Sequence, residues 1–216
     1  MATAEWDGVT RRDTYKEHVL ANRDALADAA RDGRWDEVFA RLDEDPSLVN
    51  AWRPGGTSWY TPVHQAAWHG VDLPTVRRLL TYGPWLTLRD ARGDRPLDIA
   101  LRGGRAHLDG PLVPVVRNPV STDTLTALRR HLHGLVRERA AELVDEQELR
   151  LPEPVVLTEL GDPGLWFAVP GMYGGFHIVL RGEELAVESW SRVVGGSGQR
   201  HLITRDGCVL TEQGFV

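Results

Sequence analysis

The sequence predicts an α+β fold: a stack of helix–turn–helix repeats capped by a long helix, then a small antiparallel β region. Three observations carry this expectation. Helical segments ending in glycine recur through the first half of the chain, with Gly33, Gly70 and Gly104 spaced 37 and 34 residues apart. A stripe of leucine, valine and alanine at helical spacing follows, and after Arg150 short apolar runs alternate with glycine and proline. The boundaries read as an N-terminal helical segment over 1–21, about three repeats over 22–120, the capping helix over 121–150 and the β region over 151–216.

Each repeat is justified by its own residues. The first helices are Ala25–Gly33, Thr61–Gly70 and Arg95–Gly104, and short second helices follow the first two, at Trp35–Leu42 and Pro74–Leu80. Thr61 is a cap for the helix it precedes, and Pro62 suits the first turn, where its missing N–H is not needed. Ala66 and Ala67 let neighbouring helices approach closely. Gly33 and Gly70 end their helices where a left-handed backbone is expected. The third repeat carries Arg95 and Asp98 where the second has Thr61 and His64, so looser or terminal packing is expected there. A further short helix is expected over Arg12–Leu20.

Thr61-Pro-Val-His-Gln-Ala resembles the ankyrin repeat, whose signature is Thr-Pro-Leu-His-x-Ala at a period of about 33 residues. The resemblance implies that His64 ties repeats together by hydrogen bonds. It also implies a concave partner-binding face, made of loop tips and inner helices. On that face would fall Trp52, Arg53, Trp59 and Tyr60 from the long Pro-Gly-Gly loop. Trp68 and His69 would come from the inner helix, with Trp85, Arg89 and Arg92 from the next finger. For Trp35, Trp68 and Trp85 inter-repeat packing is the competing reading. Tryptophan and arginine are enriched at binding hot spots, although an arginine excess also follows from a GC-rich genome. Here 24 of 25 basic residues are arginine, Lys16 being the exception, and there are eight tryptophans.

The capping helix is expected from Asp123 to Glu146, where Leu125, Leu128, Leu132, Leu135, Val136, Ala140 and Leu143 form one stripe. Strands are expected at Val155–Leu157, Trp166–Val169, Phe176–Leu180, Leu185–Val187, His201–Thr204 and Cys208–Leu210, with turns at Arg181-Gly182 and Asp206-Gly207. At about 65 residues the β region is too small to stand apart, which predicts one compact molecule. Its segments Met172-Tyr-Gly-Gly-Phe176 and Val193-Val-Gly-Gly-Ser-Gly-Gln-Arg-His201 extend the resemblance to a group of bacterial ankyrin-repeat proteins with such a tail. That resemblance implies a bacterial protein and brings no activity with it.

Composition narrows the function. At 42% hydrophobic and 26% charged the 216-residue chain reads as soluble and globular. No apolar run reaches the roughly 18 to 20 residues of a membrane span, and the polar, acidic start lacks the pattern of a secretory signal. A net charge of −6 argues against a nucleic-acid partner. One cysteine, Cys208, leaves no internal disulfide or multi-cysteine zinc motif and predicts a reducing, cytoplasmic compartment; Cys208 itself reads as a small buried residue. Gly195-Gly-Ser-Gly-Gln-Arg200 lacks the lysine of a phosphate-binding loop, and no histidine pair has metal-ligand spacing. No catalytic residue, metal or cofactor is expected. The preferred function is non-catalytic recognition of another protein. The alternative is a small-molecule-binding protein or enzyme, with a polar pocket of Tyr173, His177, Glu188, Arg192, Ser197, Arg200 and His201.

Overall fold

The computed structural model describes residues 4–192 and 196–214. Val193, Val194 and Gly195 of the glycine-rich segment lie outside the described residues, as do the first three and last two. Among the described residues there are six α-helices and one six-stranded mixed sheet. The chain is therefore α+β, but the expected fold class does not hold: a single six-stranded mixed sheet stands where a small antiparallel region was expected, and the helices do not make a clear ankyrin stack capped by a long helix. Contacts divide it into two compact units, residues 11–115 and residues 1–10 with 116–216.

The 11–115 unit is helical. α1 (Glu17–Arg31) and α2 (Trp35–Glu44) follow each other across a short turn and touch, as do α3 (Pro62–His69) and α4 (Leu73–Leu80), and α5 (Pro96–Arg102) is followed by only a short 3-10 turn. Of the short helix expected over Arg12–Leu20 only Glu17–Leu20 is helical, as the first turn of α1, which runs on through the first repeat helix to Arg31; residues 12–16 form turns and coil. The turns at Gly33 and Gly70 have positive φ, 73° and 64°, as a left-handed helix stop demands. One apolar core joins Leu26, Val38, Leu42, Val63, Ala66, Val76, Leu79, Ile99 and Leu108.

The other unit is built on the sheet, whose strands lie in chain order. They are β1 (Ala4–Glu5), β2 (Gly164–Val169), β3 (Gly174–Arg181), β4 (Glu184–Ser191), β5 (Ser197–Ile203) and β6 (Cys208–Gly214). β1 pairs parallel to β2, so the sheet is mixed; the remaining pairs are antiparallel. Two residues carry no readable periodicity, which hides β1 in the sequence. Just after it Trp6 is buried, and its indole N–H donates to the Arg150 carbonyl at 2.8 Å.

The long helix α6 (Thr122–Glu146) belongs to this sheet-bearing unit, where it packs against β2, β5 and β6. The stripe that predicted it is real, with Leu128, Leu132, Leu135 and Val136 buried, but the sheet is what it covers. Val155–Leu157 lies in a 3-10 turn, Pro154–Thr158, and not in a strand; Pro154 sits at its first turn. No described helix is long and apolar enough to cross a membrane.

Candidate functional site

In the 11–115 unit two loops and one helix enclose a groove of about 320 Å³, lined by residues including Ser58, Tyr60, Gln65, Trp68, Asp90 and Arg92. Its geometry begins at the start of α3. His64 is fully buried, and its Nδ1 accepts from the Thr61 backbone N–H at 3.3 Å and hydroxyl at 2.7 Å. Nδ1 is thus the acceptor nitrogen and Nε2 carries the proton, which it donates to the Leu88 carbonyl at 3.2 Å. One neutral imidazole fixes the helix start and ties it to the chain before the next loop. Tyr60 stacks on that ring, with centroids 5.6 Å apart and planes at 26°.

The second loop is held by Asp90. Its Oδ1 accepts from the backbone N–H groups of Arg92 and Asp94, both at 2.8 Å, and its own N–H donates to the Asp94 carbonyl at 2.8 Å. The next residue, Ala91, donates its N–H to the Ser58 carbonyl at 2.9 Å, which joins the two loops. Asp90 is only 4% exposed, and its Oδ2 has no hydrogen-bond partner.

The start of the third repeat helix is tied by a side-chain pair of its own. Asp98 accepts from the Arg95 backbone N–H at 2.9 Å and from both ends of its guanidinium at 2.9 and 2.8 Å. Hydrogen bonding to the Arg95 side chain pulls the Asp98 carboxyl down to about 2. Arginine and aspartate here stand where threonine and histidine do in the second repeat, with every bond running one way, from Arg95 to the Asp98 carboxylate.

The structure sorts the expected partner-binding residues into two groups. Tyr60, Trp68 and Arg92 line the groove. Trp68 is 60% exposed, and it alone of the eight tryptophans falls in the exposed class. Trp52 and Trp85 are buried. Arg53 ion-pairs with Asp28 and, at 3.4 Å, with Asp24, so it clamps its loop to α1. His69 donates from Nε2 to the Arg31 carbonyl at 2.9 Å and meets Trp35 edge-on. Arg89 donates to the Gly93 carbonyl at 2.6 Å. Trp59 is half-buried with a positive φ of 56°, an arrangement disfavoured for a bulky side chain. Asp90 and Gln65 were missed, although an aspartate three residues before a turn glycine is a readable loop anchor.

The expected polar pocket in the β region does not close. His177, Glu188 and Arg200 do lie in one cross-strand row, with Trp166 and Glu212 at its ends. That row is ion-paired: Arg200 bonds Glu188 at 2.9 Å and also Glu212. Ser197 and His201 alternate onto the opposite face, where Arg139 of α6 donates to the Ser197 hydroxyl at 3.0 Å. Tyr173 and Arg192 sit exposed in the connections at the strand ends. Side-chain alternation along a strand separates the seven residues. Cys208 is exposed, not buried, because it begins the edge strand β6.

A wider cleft of about 720 Å³ borders α6, lined by Asp123, Arg129, Arg130, His133, Arg205 and Asp206 among others. Three arginines and two aspartates line it, and Arg129 lies 3.6 Å from Glu153. His133 Nε2 donates to the Pro152 carbonyl at 2.9 Å, and burial pushes this imidazole below its ordinary value. No protein-family model matches the sequence, and comparison with curated proteins finds no match.

Proposed function

We propose that residues 11–115 form a non-catalytic protein-recognition module whose contact surface centres on the groove of Tyr60, Gln65, Trp68 and Arg92. The observation that supports this most is the exposure of Trp68 on the groove wall, while the other seven tryptophans are buried or half-buried. A large aromatic left in water beside a concavity loses apolar burial that a partner restores, on the order of 2 kcal/mol. Aromatic and arginine side chains together are the usual hot-spot chemistry. The groove walls stand on buried hydrogen bonds from His64 and Asp90, so the surface is presented with little ordering left to do on binding.

The test is affinity purification from the native host with the wild-type chain and a Trp68→Ala variant. Trp68 is on the surface, so its truncation leaves the fold intact. The reading predicts that a specific partner recovered with wild type falls at least about tenfold with the variant, the effect of a hot-spot residue. Equal recovery would sink it.

A further inference from the structure

Asp90 gives the groove a chemical preference. Its carboxylate spends Oδ1 on two backbone N–H groups and leaves Oδ2, buried, with no donor. A buried acceptor left in this way costs about 1–3 kcal/mol, more for a charged group, unless something supplies a donor. Two aromatic rings stand at the same concavity. Trp68 offers an open indole, and Tyr60 is braced against His64. Burial raises the Tyr60 phenol above its usual value, and the Asp90 negative charge is the next cause in the same direction. The neighbouring Asp94 carboxylate bonds Arg102 at 2.6 Å, and Arg102 also feels the Asp90 charge, yet no hydrogen-bond donor reaches Asp90 Oδ2. Ring faces and a carboxylate both attract cations.

We propose that the groove receives an arginine side chain of the protein partner, its guanidinium over the Trp68 face and drawn by the charge of Asp90, which lines the groove. This rests on reading the groove as a protein-recognition surface. Arginine fits better than lysine because a planar guanidinium stacks on an indole and presents forked donors to a carboxylate oxygen. Arg92, exposed at the same groove, opposes an incoming cation and would attract an anion. Its removal therefore separates the two cases by sign.

The experiment is a titration of the ¹⁵N-labelled full-length chain with N-acetyl-Gly-Arg-Gly amide, reading the Trp68 indole N–H resonance. The expected result is a saturable shift, at least about fivefold weaker with the lysine peptide and absent with the glutamate peptide. Asp90→Asn keeps the Oδ1 acceptor for the loop and should weaken binding about tenfold or more, as loss of a charged partner does. Arg92→Ala, which disturbs no buried group, should tighten it about two- to fivefold. No saturable shift, an equal response to the glutamate peptide, or weakening on Arg92→Ala overturns the proposal. Free L-arginine binding as tightly as the capped peptide overturns the assignment to a protein side chain. If the arginine peptide fails while partner recovery still depends on Trp68, the cation preference falls and the recognition reading stands. If the peptide binds but Trp68→Ala recovers the partner fully, the recognition reading falls, and this proposal with it.

Discussion

His64→Ala should be among the most damaging single changes in the helical unit. The fully buried ring accepts two hydrogen bonds from Thr61 and donates one to Leu88. Removing it strands the Leu88 carbonyl and the Thr61 N–H, each at about 1–3 kcal/mol for a buried unsatisfied group. The cavity left by the imidazole adds roughly 1 kcal/mol more. The total is about 3 kcal/mol at the low end, which corresponds to a factor of about 150 in an opening equilibrium. Hydrogen exchange reads this without assuming that the two compact units unfold together. In α3 the buried Ala66 and Ala67 amides should lose roughly that factor of protection, and β3 amides should change little if the units open independently. Loss of less than about tenfold at α3 would refute the claim that one imidazole holds the helix start to the Leu88 segment.

Three further outcomes follow from the same reasoning. The Asp98 carboxyl is held at about 2, below its unfolded value, so its pair with Arg95 contributes fully above pH 4 and is lost as pH falls through 2. In acid unfolding Asp98→Asn should lose about 1 kcal/mol of pH dependence between pH 4 and 2, after allowance for solvent screening; parallel curves for variant and wild type would contradict this. Gly175→Ala should cost about 3 kcal/mol or more in thermal unfolding of the sheet unit, because a Cβ there meets the Phe167 carbonyl oxygen at 2.1 Å. A melting temperature unchanged by the substitution would show that β2 and β3 can part locally. Arg53→Ala should lower stability by about 1 kcal/mol or less, more so at low salt, and leave partner recovery unchanged; loss of the partner without loss of stability would return Arg53 to the contact surface.

Local chemistry was legible in the sequence, and its assembly was less so. Glycine stops and apolar periodicity located α2, α3, α4 and α6 to within a few residues, and the apolar runs marked β2 to β6. Periodicity says that α6 has a buried face without saying what covers it, and the sheet covers it here. Pro154 turned a β-branched run into a 3-10 turn. β1 is set by a parallel pairing with β2, roughly 160 residues away in sequence, which no local window contains. For the site, residue type alone could not separate an arginine that binds a partner from one that ties down its own loop. Arg53 and Arg92 look alike in sequence, and only the carboxylates of α1 distinguish them. The polar residues of the β region failed as a set because strand alternation puts His177 and His201 on opposite faces.

The most direct test of the central claim is photo-crosslinking in the native host from a benzophenone residue placed at Gln65, inside the groove, against one placed at exposed Tyr173 in the sheet-bearing unit. The account predicts one discrete crosslinked protein from position 65, lost when Trp68 is also changed to alanine, and none of that species from position 173. Crosslinking of the same protein from position 173 and not from 65 would place recognition elsewhere and contradict it.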